Sequence, residues 1–267
     1  MIKLIVSDMD GTLLTPERHL PDGFFEIMEK CRAKGAEFVV GSGRSWLMLR
    51  HLFEPYCDDM IFICDNGGFM KHRADAPQVN AMKREDWLKS AADIDALGDA
   101  ARAVLCGMKG VYVHSLPDEV KFATEITDYY SSYHEVENFA DIDDEIFKTA
   151  ICTRGASSEM LAPLEKTLPE SLRIVLSGPH YLDVMEKSVS KGAALARLQK
   201  QLGVTADETM VFGDYYNDIE MLKLAKYSYI MENAVPDMRQ HGAFTAPSNA
   251  DAGVLKVMQS VVIEGKI

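Results

Sequence analysis

Two aspartates near the amino terminus have the clearest chemical potential in this sequence. Asp8 and Asp10 follow the apolar run of residues 2–7, and Gly11 comes directly after them. In extended backbone the side chains of residues i and i+2 point to the same side, so both carboxylates can face one site. Such a pair can supply a nucleophile, a proton donor and ligands for a hard cation. The same residues also suit a capped turn after a strand, and that alternative stays open at this point.

The position of Asp8 depends on the strand that precedes it. The run Ile2-Lys3-Leu4-Ile5-Val6-Ser7 is rich in leucine and β-branched residues, which is typical of a buried strand in a parallel sheet. A helical pattern over residues 21–34 and a second apolar run over residues 36–40 follow it. This order predicts a right-handed crossover with parallel pairing. Because open α/β sheets bind ligands at the carboxyl ends of their strands, Asp8 is expected at a site-forming edge.

The alternation of strands and helices continues to about residue 70 and resumes after residue 187, but the segment between them differs. There the pattern predicts helices over 85–104, 118–130 and 157–168, and strands over 110–114, 146–152, 172–176 and 181–185. The last two strands form a hairpin, which indicates an α+β module. We therefore predict an α/β fold with a Rossmann-like parallel-sheet core, residues 1–81 and 187–267, and an inserted α+β domain, residues 82–186.

Composition excludes several classes of partner. The 267 residues include 28 basic and 41 acidic side chains, a formal charge of −13 that repels nucleic-acid phosphates and anionic lipid. No apolar segment approaches the roughly 18 residues of a membrane span, and Asp8 interrupts the first apolar run before a signal peptide could form. The five cysteines are scattered, without a C-x-x-C pair, so neither a disulfide framework nor a zinc site is expected. These features predict a cytoplasmic protein without nucleic-acid or membrane partners.

Three further segments carry polar residues at strand ends or at a helix start. They are Ser42-Gly43-Arg44, Lys191 within Val189-Ser190-Lys191-Gly192, and Gly213-Asp214-Tyr215-Tyr216-Asn217-Asp218. Together with Asp8-Met9-Asp10-Gly11-Thr12, and in this order, they resemble the haloacid dehalogenase-like (HAD) phosphohydrolases. The large insertion between the second and third segments resembles the Cof-type, type-IIB capped branch of that family. The resemblance covers the whole chain.

This resemblance implies a Mg²⁺-dependent phosphatase of small phosphorylated metabolites, such as sugar phosphates or similar monoesters. By its match to the family's first aspartate, Asp8 is expected to be the nucleophile that forms an aspartyl-phosphate. Asp10 is expected to act as general acid for the leaving alcohol and then as base for water. The expected Mg²⁺ ligands are the Asp8 side chain, the backbone carbonyl of Asp10 and the carboxylate of Asp214. The inserted cap is expected to close over the site and select the leaving group.

The substrate phosphate is expected to be bound by four residues. Ser42 offers its hydroxyl and Gly43 a backbone N–H where negative charge accumulates. Lys191 is expected to neutralise the phosphate and the carboxylate of Asp8; a cation in the first turn of a helix opposes the helix dipole, which favours an anionic partner. The alternative for Lys191 is an ordinary solvent-facing side chain. Asn217 is expected to contact the phosphate or to fix Lys191.

Other matching residues have less specific roles. Asp218 is expected either to orient water or Lys191 from outside the ligand sphere or simply to cap its helix. Arg44 is expected to support its loop or reach the substrate. Asn66-Gly67 either borders the substrate cleft, as an Asn-Gly pair often does in the type-IIB branch, or forms an ordinary tight turn. Asn233, near the last strand, also fits a pattern of the family and is expected on the floor of the site.

Two other functions fit parts of the same pattern. A phosphomutase acting on a sugar phosphate shares the equivalents of Asp8, Asp10 and Lys191 but returns the phosphate to the sugar. A non-catalytic metabolite-binding regulator could keep the fold, although a binding protein has no need of both carboxylates. The sequence identifies neither the individual metabolite nor the oligomeric state.

Overall fold

The computed structural model describes residues 1–115, 130 and 132–266 and contains two compact units. The first unit is formed by Met1–Gly43, Arg50–Pro77 and Ser190–Ile267, and the second by Arg44–Leu49 and Gln78–Val189. The helix expected over residues 118–130 lies, apart from residue 130, outside the described part of the chain. Among the described helices, none combines the length and apolar character that crossing a membrane requires.

The strands are named in chain order from β1 to β14 and the helices from α1 to α7. The strands are β1 (Leu4–Ser7), β2 (Glu37–Gly41), β3 (Ile61–Cys64), β4 (Phe69–His72), β5 (Gln78–Val79), β6 (Ala101–Gly107), β7 (Val111–His114), β8 (His134–Val136), β9 (Ile146–Thr153), β10 (Leu172–Gly178), β11 (Tyr181–Glu186), β12 (Thr209–Gly213), β13 (Tyr227–Met231) and β14 (Phe244–Ala246). The helices are α1 (Phe24–Ala33), α2 (Trp46–Leu52), α3 (Arg84–Asp95), α4 (Ser157–Glu165), α5 (Lys191–Leu202), α6 (Ile219–Leu222) and α7 (Gly253–Val257).

The first unit contains the predicted parallel sheet, in the order β14-β13-β12-β1-β2-β3-β4. Every neighbouring pair from β14 to β3 is parallel, and β1 lies between β12 and β2, with Val6 opposite both Val211 and Val39. All four residues of β1 are buried because helices cover the sheet, and residues of α5 such as Leu195 pack against Val6. The Rossmann-like core is confirmed, and the carboxyl ends of β1, β2 and β12 lie along one edge.

A hairpin at the end of β3 was not predicted. Strand β4 pairs antiparallel with β3, from Ile61 opposite His72 to Cys64 opposite Phe69. The connection is a tight turn in which Asp65, Asn66 and Gly67 all have positive φ, 50°, 52° and 97°. Glycine and asparagine tolerate this left-handed region better than most residues, so Asn66-Gly67 explains the turn.

The second unit is an α+β module, as predicted. Its sheet has the order β10-β11-β9-β6-β7-β8 and is antiparallel except for the pair β7 and β8. Helices α3 and α4 contribute Trp87, Ile94 and Leu164 to an apolar cluster that also contains Ile151 of β9 and Val184 of β11. The helices therefore cover one face of this sheet.

The helix predicted over residues 85–104 is wrong in its second half. Helix α3 ends at Asp95, Gly98 adopts a φ of 59°, and β6 begins at Ala101. Alanine favours helices, but β6 pairs along its length with β9. Alternate residues of β6, namely Ala101, Ala103 and Leu105, therefore lie in the apolar cluster. Long-range pairing has overridden the local preference of alanine.

Candidate active site

Asp8 stands where β1 ends and a wide turn begins. Its backbone N–H donates to the carbonyl of Phe212 at 3.1 Å, which extends the pairing of β1 with β12, and its carbonyl accepts from the N–H of Leu13 at 3.2 Å. Inside the turn the backbone of Asp10 is extended and Gly11 has a φ of 75°. The side chain of Asp8 is buried. The residues after β1 therefore form more than a simple capped turn.

Lys191 lies at the start of α5 and is buried, so it is not a solvent-facing lysine. Its Nζ lies 2.6 Å from Oδ1 of Asp8 and 2.7 Å from Oδ1 of Asp218. The side chain of Ser190 caps α5 by accepting from the N–H of Ala193 at 3.0 Å. Burial lowers the pKa of Lys191, but the carboxylates of Asp218 and Asp8 outweigh this effect and leave the pKa above its ordinary value. Lys191 is therefore a permanent cation between two carboxylates.

The other two carboxylates follow β12. Oδ1 of Asp214 accepts from the hydroxyl of Thr12 at 2.7 Å. Asp218 is fully buried, and its Oδ2 accepts from the backbone N–H groups of Asp214 and Tyr215 at 3.0 and 3.2 Å. Asp218 therefore holds the turn after β12 with one oxygen and Lys191 with the other, and its side chain makes no capping hydrogen bond to the helix α6 that follows it.

Negative charge exceeds positive charge in this cluster. One oxygen each of Asp8, Asp214 and Asp218 lies within 4.8 Å of the others. Burial raises the pKa of Asp8 well above its ordinary value; Lys191 opposes this shift, and Asp218 and Asp214 add to it. Burial, together with Asp218 and more weakly Asp10, raises the pKa of Asp214 to about 7, although Thr12 and Lys191 act the other way. An additional cation would relieve this repulsion.

The donor atoms of the cluster suit a hard divalent cation. They are carboxylate oxygens, which Mg²⁺ and Ca²⁺ prefer, whereas softer metals favour imidazole and thiolate ligands. Gly11 packs directly against this group, since a Cβ built on it would lie 2.4 Å from Oδ2 of Asp214. The absence of a side chain at Gly11 is therefore necessary for the close approach of the two loops.

The loops after β2 and β3 are joined to the loop after β12 by hydrogen bonds. The backbone N–H of Asn66 donates to the carbonyl of Ser42 at 3.0 Å, and Nδ2 of Asn217 donates to Oδ1 of Asn66 at 2.9 Å. A Cβ on Gly43 would lie 3.3 Å from Nδ2 of Asn66. Asn66 therefore does more than form a tight turn, because it connects Ser42 and Gly43 with Asn217.

Gly67 and Arg44 have different surroundings. Gly67 lies against the start of α5, where a Cβ would come within 2.4 Å of the carbonyl of Ser190. This contact places the turn after β3 beside Lys191. Arg44 is buried, and it belongs to the segment Arg44–Leu49 that groups with the second unit. The role considered for Arg44 stays a prediction.

Two contributors to this region were not assigned from the sequence. Thr12, within the first motif, donates to Asp214. Asn249, buried after β14, donates from Nδ2 to the carbonyl of Leu14 at 2.8 Å, and its backbone N–H donates to Oδ1 of Asn233 at 3.0 Å. Their only sequence signal is that polar residues follow strands at the same edge of the sheet as Asp8.

Comparison with known proteins gives consistent matches across nearly the whole chain. A family model described as haloacid dehalogenase-like hydrolase matches residues 5–258. The chain is 30% identical over 267 residues to the 5-amino-6-(5-phospho-D-ribitylamino)uracil phosphatase YbjI of Escherichia coli, covering 98% of this chain and 96% of that protein. The solved structure of SMU.1108c from Streptococcus mutans has a TM-score of 0.88 at 29% identity, covering 97% of this chain and 98% of the other. The HAD subclass IIB sugar phosphatase BT4131 has a similar fold, with a TM-score of 0.79 at 21% identity over 98% of this chain and 99% of the other.

Proposed function

Since this chain belongs to the haloacid dehalogenase-like hydrolases and is a phosphoric monoester hydrolase, we propose that it is a member of their Cof-type, type-IIB branch. It would then use Mg²⁺ and an aspartyl-phosphate intermediate to hydrolyse small phosphorylated metabolites. The observation that carries this proposal is the buried Lys191, bound to both Asp8 and Asp218 beside Asp214. Phosphoryl transfer needs mainly alignment and charge compensation, and this cluster offers both.

Asp8 is the nucleophile in this proposal. A carboxylate oxygen of Asp8 attacks the phosphorus atom, the bond from phosphorus to the leaving oxygen breaks, and water then releases the phosphate from Asp8. The ammonium group of Lys191, 2.6 Å from Asp8, offsets negative charge on the carboxylate and on the incoming phosphate. Asp8 is buried, so its position is defined before the substrate arrives.

Asp10 is the proton donor and acceptor. It gives a proton to the leaving oxygen and later takes one from the attacking water. Its carboxylate already contributes to the raised pKa of Asp214, after burial and Asp218, which is consistent with a place beside the same cluster.

The Mg²⁺ ligands in this proposal are the Asp8 carboxylate, the backbone carbonyl of Asp10 and the carboxylate of Asp214. When bound, the cation offsets the repulsion between a carboxylate nucleophile and a phosphate dianion. Asp218 is not assigned as a ligand, because one of its oxygens accepts from Lys191 and the other from two backbone N–H groups. Its role is to position Lys191 and the loop that carries Asp214.

Phosphate binding is assigned to Ser42, Gly43, Lys191 and Asn217. The hydroxyl of Ser42 and the N–H of Gly43 would donate to phosphoryl oxygens. The amide of Asn217 is oriented by Asn66, 2.9 Å away, so Asn66 and Gly67 support this group from the turn after β3. Arg44 remains a candidate for substrate contact.

The substrate class is a small phosphomonoester with a sugar-like or polyol leaving group. The relative YbjI is named for a phosphorylated ribityl compound joined to a uracil ring, which makes polyol and sugar phosphates the first candidates to test. The net charge of −13 supports a protein that acts without nucleic acid or an anionic membrane surface as partner. The five free cysteines support action in a reducing compartment such as the cytoplasm.

The proposal is tested by measuring phosphate released from a panel of phosphorylated sugars, polyols and nucleotides in the presence of Mg²⁺. The Asp8→Asn protein is the matched blank, since it keeps the shape of the side chain but loses the nucleophile. We expect activity on several monoesters, and a phosphoprotein that is trapped in acid only when Asp8 is present. Return of the phosphate to a second hydroxyl, followed by ³¹P NMR, would indicate a phosphomutase instead. Undiminished turnover by Asp8→Asn would remove the covalent mechanism.

A further inference from the structure

Asn233 contacts the turn after Asp10, although it is neither the nucleophile nor a metal ligand in the proposed mechanism. Its Nδ2 donates to the carbonyl of Gly11 at 2.7 Å, across 222 positions of the chain. The orientation of this amide is fixed at its other end, because Oδ1 of Asn233 accepts from the backbone N–H of Asn249 at 3.0 Å. The donor is therefore aimed at the Gly11 carbonyl.

The same turn is held at a second carbonyl. Nδ2 of Asn249 donates to the carbonyl of Leu14 at 2.8 Å, and Asn249 is buried. The carbonyl groups of Gly11 and Leu14 are thus bound by two asparagines that follow β13 and β14. These asparagines also bind each other, so they act on the turn as one unit.

The peptide between Gly11 and Thr12 is consequently held from two directions. On one side the hydroxyl of Thr12 donates to Asp214 at 2.7 Å, and on the other Asn233 binds the Gly11 carbonyl. The backbone here is irregular, since Asp10 has a ψ of 123° and Gly11 a φ of 75° and a ψ of −3°. A regular helix would fix the carbonyl by its own hydrogen bonds, whereas this turn relies on side chains from distant loops.

We propose that Asn233 is a positioning residue that fixes the Gly11 peptide and thereby directs the carboxyl group of Asp10 toward the leaving oxygen. This inference rests on the proposed role of Asp10 as general acid. The Gly11–Thr12 peptide that Asn233 holds is one peptide removed from Asp10, so its movement shifts the backbone at Asp10 and the carboxyl group with it. Small displacements of that group are costly for proton transfer. Asn233 acts through Asp10, and we assign it no contact with the substrate.

A purely structural role for Asn233 gives a different expectation. The residue is exposed, so water can replace its amide at the Gly11 carbonyl, and one such hydrogen bond contributes only about 1 kcal/mol to folding. Loss of this bond should leave the protein folded. An effect on catalysis that depends on the leaving group therefore reports on Asp10 rather than on stability.

The experiment compares Asn233→Ala with the wild type on aryl phosphates whose leaving groups differ in pKa. We expect kcat/KM, which reports on formation of the phosphoenzyme, to fall about tenfold for unsubstituted phenyl phosphate, part of the typical contribution of a general acid. The value of kcat/KM for p-nitrophenyl phosphate should fall less. Asn233→Asp keeps the size but places an acceptor against the Gly11 carbonyl, so it should be impaired like the alanine variant. Added to Asp10→Asn, the Asn233→Ala change should have little further effect.

Asn138→Ala is the matched control. Asn138 caps a short turn in the second unit, where its Oδ1 accepts from the N–H of Ala140 at 2.9 Å, so its removal should leave all rates unchanged. Equal losses for both leaving groups, wild-type rates in Asn233→Asp, or additivity with Asp10→Asn would each overturn the positioning role. A wild type that releases no phosphate, or an undiminished Asp8→Asn variant, would instead contradict the proposed function itself.

Discussion

Lys191 and Asp8 lie 183 positions apart in the chain, yet Nζ of Lys191 is 2.6 Å from Oδ1 of Asp8. Both belong to the first unit, where Asp8 follows the strand β1 and Lys191 begins the helix α5. The segment Gln78–Val189, which separates them in sequence, belongs to the second unit. The contact therefore forms only when the amino-terminal part of the core, which contains β1, pairs with the carboxyl-terminal part, which contains β12.

Replacing Lys191 by methionine should destabilise the protein strongly. Without the ammonium group Asp8 and Asp218 would be buried without their shared cation, and breaking a buried ion pair in this way costs about 3–5 kcal/mol. The free energy of unfolding in urea, measured without divalent metal, checks this expectation. Lys3→Met is the control, because the pair of Lys3 with Glu208 lies at the surface, where solvent screens ion pairs and their contribution to stability is small. Equal losses in the two variants would show that Lys191 carries no special electrostatic role.

Asp10→Asn should slow hydrolysis most for poor leaving groups. An amide cannot donate a proton in the way a carboxylic acid does, so an alkyl phosphate should lose on the order of 10²-fold or more in kcat. For a leaving group that departs without protonation, such as p-nitrophenolate, the rate of phosphoenzyme formation should fall less. Pre-steady-state release of p-nitrophenol measures that step. Identical losses for all leaving groups would count against proton donation by Asp10.

Removal of divalent metal should stop turnover reversibly. EDTA is expected to abolish phosphate release and excess Mg²⁺ to restore it, because Lys191 alone offsets only part of the negative charge of the three clustered carboxylates. Mg²⁺ should also raise the melting temperature, since a ligand that binds only the folded state stabilises it. Both responses should require far more Mg²⁺ in Asp214→Asn than in Asp207→Asn, whose side chain is exposed at the surface. Full activity in EDTA would contradict the metal site.

Gly11→Ala tests the close approach of the first loop to Asp214. The new Cβ would meet Oδ2 of Asp214 at 2.4 Å, and Gly11 also has a positive φ of 75°. Gly35→Ala is the control, because Gly35 has a φ of 84° but no atom within 4 Å of the added Cβ. Both variants should lose about 1–2 kcal/mol from backbone strain, but only Gly11→Ala should also lose phosphatase activity and Mg²⁺ affinity. Unchanged activity in Gly11→Ala would show that the contact with Asp214 is not needed.

The order of elements in the core could be predicted because local patterns determine it. Apolar runs such as residues 2–7, with helical patterns between them, indicate parallel strands whose carboxyl ends share one edge. Polar residues at those ends, Asp8, Ser42 and Asp214, were therefore expected near one another. The positions of these side chains then follow from the topology of the sheet.

Other features depend on contacts that the local sequence does not encode. Strand β6 was predicted as helix because alanine favours helices, while its actual partner, β9, lies some forty residues further along the chain. The hydrogen bonds from Asn233 to Gly11 and from Asn249 to Leu14 join loops more than two hundred residues apart. An asparagine after a strand gives no indication of which distant carbonyl it will bind.

The central position of β1 has a consequence for synthesis of the protein. Strand β1 is flanked by β2 on one side and by β12 on the other, and β12 does not begin until Thr209. During translation the ribosome must therefore make the entire inserted segment while one edge of β1 has no neighbour. Open strand edges readily recruit other chains, so products of interrupted translation that end before Thr209 are expected to aggregate or to remain bound to chaperones.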